Sequence, residues 1–148
     1  MPCVLYMLLS RKLMLAMSKF PAKGSSLVHP AWEPPPAGWI KFNVDGSYVP
    51  QSGEAAIGVV ARDSRGQVIL TAWLVLFRCQ DAIKAEAQAC LEGVRLAAQW
   101  SHGRVIIESD CARVIQSMKD AVDRSMISFT VAEAKDQASL LVEWRVAK

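Results

Sequence analysis

The 148-residue sequence predicts an α/β domain with one mixed sheet and helices packed on its faces. Three observations lead there. Ile40, Phe42 and Val44 alternate with polar residues at the two-residue period of a half-buried strand. Asp81 to Trp100 is a proline-free run with apolar residues at helical spacing. Beyond it, strand-like and helical stretches alternate, and connections of helical length usually join parallel neighbours.

The length fits one domain with enough residues to bury a core. A composition 52% hydrophobic and 21% charged excludes a disordered chain. Seventeen Lys and Arg against fourteen Asp and Glu leave a net charge of +3, a mild bias toward a polyanionic partner. Cys3, Cys79, Cys90 and Cys111 form no C-x-x-C pair, and His29 and His102 lie far from them, so reduced thiols and no zinc are expected.

Residues 1–38 read as an N-terminal extension and linker, and residues 39–148 as the domain. Arg11 and Lys12 split the apolar first twenty residues into runs shorter than the roughly 18 residues of a membrane helix, so no spanning segment is expected. Met1 to Trp32 contains no acid and carries Arg11, Lys12, Lys19 and Lys23. An organellar transit peptide and a start codon inside a longer ancestral reading frame stand as equal readings of it. The compartment, nuclear or organellar, stays open. Pro21 to Gly38 holds five prolines, and Glu33-Pro34-Pro35-Pro36 cannot enter a helix or a central strand.

The first strand starts at Trp39 and is expected to end at Asp45. Ala56 to Arg62 and Gln67 to Leu76 are strand-like and flank Asp63-Ser64-Arg65-Gly66, which predicts a β-hairpin. Ile83, Ala87, Leu91, Val94 and Ala98 form the stripe of the long helix, and Gly103 lies where a C-terminal glycine belongs. Val105 to Asp110 predicts a strand, Cys111 to Lys119 a helix, Ser125 to Ala138 a helix and Leu140 to Val146 a last strand.

Three acids stand out. Asp45, in Val44-Asp45-Gly46-Ser47, is placed on the strand face opposite Phe42 and Val44, although an Asp-Gly pair alone reads as a turn. Glu86, three residues after Ile83 and four before Cys90, falls on or beside the apolar stripe, where a carboxylate needs a compensating partner. Lys84, about 200° away round the helix, cannot serve. Asp110 closes a strand ahead of a helix, a position for an N-cap or for a site at the carboxyl edge of an α/β sheet. Three acids aimed at one point repel unless divalent cations intervene, and oxygen ligands suit Mg²⁺ or Mn²⁺. Two such ions about 3.5 to 4 Å apart can drive phosphodiester displacement.

In Trp39-Ile40-Lys41-Phe42-Asn43-Val44-Asp45-Gly46-Ser47, Gly58-Val59-Val60-Ala61-Arg62-Asp63 with Gly66, Lys84-Ala85-Glu86-Ala87 and Glu108-Ser109-Asp110, taken in that order, the chain resembles the ribonuclease H family, in the form found in plant genomes and plant non-LTR retroelements. The resemblance covers Trp32 to about Lys148. It implies a ribonuclease H-like five-stranded mixed sheet, its first three strands antiparallel, flanked by helices. It implies Mg²⁺- or Mn²⁺-dependent cleavage of the RNA strand of RNA–DNA hybrids, with Asp45, Glu86 and Asp110 as catalytic metal ligands. Gly46 and Ser47 would let backbone and hydroxyl approach the RNA strand, whose 2′-hydroxyls distinguish it from DNA. No small-molecule cofactor is expected.

The sequence departs from that family at its C-terminal end. Family members usually carry a further acidic ligand and a terminal helix after the last strand, and this sequence reaches Lys148 without them. Weak activity is one expectation from this. A binding module using Arg62, Arg65, Lys84, Arg104 and Arg113 for phosphates, or a retroelement remnant, are the alternatives. No G-x-x-x-x-G-K loop, nucleophile elbow or Cys-His pair points elsewhere. Trp73, Trp100 and Trp144 read as core or rim packing before base stacking.

Overall fold

A computed structural model describes residues 32–76 and 78–148. The two readings of the basic N-terminal stretch therefore fall almost wholly outside the described residues. Five strands, β1 (Trp39–Val49), β2 (Glu54–Arg62), β3 (Val68–Leu76), β4 (Arg104–Glu108) and β5 (Glu143–Ala147), are joined with three helices, α1 (Ala82–Trp100), α2 (Ala112–Lys119) and α3 (Ser128–Ala138). They form one sheet in the order β3-β2-β1-β4-β5. β1, β2 and β3 are antiparallel neighbours, while β4 runs parallel to both β1 and β5.

The alternation that predicts β1 buries Phe42 and Val44 on one face. Ile57, Val59 and Ala61 of β2 and Val105 and Ile107 of β4 share the core cluster with them. Leu91 and Val94 of α1, Val114 and Met118 of α2, and Val131 and Ala134 of α3 complete it. Burying each of the larger side chains stabilises the domain by roughly 1.5 to 3 kcal/mol. The three described helices thus contribute to one core with the Phe42 and Val44 face of the sheet.

Local chemistry fixes the turns. Asp63 Oδ1 accepts the amides of Arg65 and Gln67, both at 2.9 Å, and Gly66 takes φ +78°, which only glycine adopts without strain. A register irregularity at Ala61/Arg62 accompanies this hairpin. Asp81 caps α1 by accepting the Lys84 amide at 2.9 Å.

Boundaries differ from expectation: β2 starts at Glu54 rather than Ala56, β4 ends at Glu108 rather than Asp110, and four further differences have a local cause. β1 does not stop at Asp45 but runs on to Val49, because β2 pairs with it as far as Val49↔Glu54. Gly103 is not a left-handed C-terminal glycine: α1 ends at Ser101 in extended backbone, with its amide on Ala97 O at 2.8 Å. α3 starts at Ser128, since Ser125 is tied to Asp123 in a side-chain-held turn. β5 starts at Glu143, where parallel pairing with Arg104 begins.

Residues 32–38, expected as linker, lie against the sheet. Trp39 N–H donates to Pro36 O at 3.0 Å. Two cations lie over the Trp32 ring, Lys41 Nζ at 5.2 Å and the Arg62 guanidinium carbon at 5.1 Å from its centroid. None of the described helices is long and apolar enough to cross a membrane. Cys79, Cys90 and Cys111 are free thiols, and burial pushes Cys90 up to about 12.

Candidate metal centre

Parallel pairing of β1 with β4 ends at Asn43↔Glu108. Asp45 and Asp110 each lie two residues beyond that last pair, where the two chains separate. Asp45 is therefore interior to β1, still paired with Gly58 of β2, and what ends beside it is the ladder to β4. The Asp45-Gly46 dipeptide makes no turn, because both residues belong to an antiparallel ladder and Gly46 has no positive φ. Asp110 does not cap α2: the cap position is Cys111, which has no side-chain capping bond. The buried Ser109 holds this bend instead, its Oγ accepting the Cys111 amide at 3.1 Å. The Asp110 carboxylate is left free to face Asp45.

Glu86 reaches the same point from α1 because two glycines let the helix lie close to β1. A Cβ at Gly46 would stand 2.6 Å from Ala85 C, 2.7 Å from Ala85 O and 2.7 Å from Glu86 N, all backbone atoms. At the other end of the contact, a Cβ at Gly93 would stand 2.4 Å from Val44 Cγ1. The Gly46 amide donates to Glu86 Oε2 at 3.2 Å.

One carboxylate oxygen each from Asp45, Glu86 and Asp110 can be chosen so that all lie within 4.8 Å of one another. Burial, then repulsion from Asp45 and Asp110, raises Glu86 from 4.5 to about 7, against a smaller lowering by the Gly46 amide. Asp45 is raised too, first by the protein mass that keeps water from part of its carboxyl and then by Asp110. Although Asp45 and Asp110 are exposed, the mutual repulsion of the acids contributes to raising both Asp45 and Glu86. All-oxygen donors with mutual repulsion fit a hard divalent cation. Of the residues expected at the site, Ser47 is exposed with its hydroxyl on Ala56 O at 3.3 Å, and Gly46 is occupied by its contact with α1.

An open cleft of about 570 Å³ adjoins the acids, lined among others by Trp32, Lys41, Asn43 and Glu108. Sequence reasoning did not single these four out. Lys41, Asn43 and Asp45 alternate as a polar strand face, which reads locally as solvated, and only the fold shows Lys41 to be buried. Among the proposed phosphate contacts, Arg62 is engaged with Asn43 at 2.9 Å and Arg104 with Glu143 at 2.9 Å, while Arg65 and Arg113 are exposed.

The sheet order, the helices and the convergent acids define a ribonuclease H-like domain. Residues 43–144 match the reverse transcriptase-like family, and the chain belongs to it. No curated protein matches it in sequence. Among solved structures it is similar to the RNase H1 of Halobacterium salinarum, with TM-score 0.67, 19% identity, and coverage of 74% of this chain and 84% of that one. The N-terminal RNase H domain of a Mycobacterium tuberculosis protein gives TM-score 0.65 and 16% identity over 75% and 83% of the two chains. LC11-RNase H1, solved with an RNA/DNA hybrid, gives 0.64 and 16% over 73% and 83%. At these identities the likeness is one of fold.

Proposed function

We propose that this domain cleaves the RNA strand of RNA–DNA hybrids with Mg²⁺ or Mn²⁺ held by Asp45, Glu86 and Asp110. The observation that carries this reading is the convergence of three carboxylates from β1, α1 and the β4–α2 bend on one point, in a fold shared with ribonucleases H. That LC11-RNase H1 was solved with an RNA/DNA hybrid supports the substrate class. When bound, a divalent cation supplies Lewis acidity toward a phosphodiester and lowers the pKa of water. The chain's own part is to hold the ligands: Gly46 presents Glu86, and the β1–β4 separation presents the two aspartates. Ser47, exposed just beyond Asp45, remains the candidate contact to the RNA strand, and residues 39–148 with the segment from Trp32 the working unit.

A second reading, hybrid binding with weak turnover, is favoured by ligand count. Among the described residues this cluster offers three carboxylates, few for two ions. Cleavage of a labelled RNA–DNA hybrid over a range of Mg²⁺ and Mn²⁺ concentrations tests both readings. Cut RNA that vanishes in Asp45→Asn and Asp110→Asn supports the nuclease. Folded protein that binds hybrid without cutting it supports the module, and protein that does neither refutes both.

A further inference from the structure

On the sheet face turned away from the helices, one carboxylate ties the two metal-site strands together. Glu108 Oε2 accepts from Lys41 Nζ at 2.7 Å, and Glu108 Oε1 accepts from Asn43 Nδ2 at 2.6 Å. Lys41 is 7% exposed, and its ammonium also donates to Glu33 O at 2.7 Å. Asn43 Oδ1 accepts from Arg62 Nη1 at 2.9 Å and from Trp32 Nε1 at 3.2 Å. Asn43 is thus held from three directions, and no fully buried side-chain polar atom among the described residues lacks a partner.

The position of this network gives it a consequence. Asn43 and Glu108 are the last register pair of the parallel ladder; Asp45 follows Asn43 by two residues on the same face of β1, and Asp110 follows Glu108 by two residues in the bend after β4. Past that pair the parallel register between β1 and the chain leaving β4 ends. The Asn43–Glu108 side-chain bond therefore holds the two chains together at the last pair, two residues before each aspartate. Lys41 keeps the Glu108 charge compensated, so that Glu108 is committed to the bridge.

We infer that Glu108 is a positioning residue: by bridging Lys41 and Asn43 at the end of the β1–β4 ladder, it sets the Asp45–Asp110 separation for divalent-cation binding. This rests on the metal-site reading above. Residues that orient ligands without touching the ion are commonly worth about 10- to 100-fold in metal affinity.

The test is Mn²⁺ titration of the full chain, followed by calorimetry and by the EPR signal of free Mn²⁺, with thermal unfolding measured alongside. Glu108→Ala is expected to weaken Mn²⁺ binding about tenfold or more. Asn43→Ala, which breaks the same bridge from β1 without changing charge, is expected to do likewise, and it carries the test if Glu108→Ala does not fold. Lys41→Met/Glu108→Gln keeps a cross-strand amide hydrogen bond and the net charge, and is expected to stay within about threefold of wild type. Lower unfolding temperatures with wild-type Mn²⁺ affinity would overturn the inference and leave a structural role alone. Weakening in Glu108→Ala but not in Asn43→Ala would overturn it in favour of lost charge. Wild-type protein whose Mn²⁺ binding is absent, or unchanged by Asp45→Asn, would instead refute the metal site itself.

Discussion

The Gly46 amide donates to Glu86 Oε2 across 3.2 Å, and the same glycine leaves no room for a side chain against the Ala85–Glu86 backbone. Strand and helix are in backbone contact at the point where the acids meet. A flexible neighbour could move aside for a larger residue, but backbone in the second turn of a 19-residue helix cannot do so without shifting the helix.

Gly46→Ala is accordingly expected to cost about 3 kcal/mol of stability by overpacking. It is also expected to weaken Mn²⁺ binding about tenfold, because Glu86 moves with the helix. Urea unfolding and Mn²⁺ titration measure the two effects on one protein.

At the far end of the same interface, Gly93→Ala would gain about 1 kcal/mol of helix propensity and meet Val44 Cγ1, a side-chain atom. The clash is expected to win, for a net loss of about 1 to 2 kcal/mol. Adding Val44→Ala should cost less in the Gly93→Ala background than in wild type, a coupling that a double-mutant cycle reads directly.

Removing charge from the acid cluster separates stability from activity. Asp45→Asn is expected to lower hybrid cleavage by about 10²-fold or more. Its unfolding temperature without metal should hold or rise, because the raised pKa of Asp45 marks its charge as unfavourable in the folded state.

The pH dependence follows from Glu86, raised from 4.5 to about 7 by burial and by Asp45 and Asp110. Between those values the folded state holds a proton that the unfolded state has released, so the contribution of Glu86 to stability is present below 4.5 and is lost as pH rises through 7. In EDTA, the unfolding temperature of wild type relative to Glu86→Gln should fall over that window. Mn²⁺ affinity should rise across it, as the carboxylate becomes available.

Trp32 lies seven residues before the first strand, yet it contacts Lys41, Asn43 and Arg62. Trp32→Ala is expected to destabilise the domain by about 1 to 3 kcal/mol through lost burial and cation–π contact. Equilibrium unfolding followed by circular dichroism checks it, and an unchanged midpoint would return residues 32–38 to the role of a linker.

Much of the architecture was legible because it is written in short-range periodicity. The two-residue alternation of Ile40, Phe42 and Val44 and the stripe through Ile83, Leu91 and Val94 specify a strand and a helix wherever they are placed. The off-pattern Glu86 was visible on the same terms, as was Asp63-Ser64-Arg65-Gly66, whose turn is made by its own side chain; Asp110, expected to close β4, lies instead in the bend two residues past its end.

Only the tertiary structure decided what depends on residues far apart in the chain. β1 continues past Asp45 because β2 pairs with it there, and the Asp-Gly dipeptide that locally favours a turn is overruled by that ladder. Gly46 is a packing residue because α1, some forty positions later, lies against it. Lys41 and Asn43 look like a solvated strand face until Glu108 arrives on the parallel neighbour and Trp32 folds back over them. Periodicity assigns a side chain to a face, but the partner on that face is set by register and by long-range contact, and the carboxylate geometry of this domain is fixed by such partners.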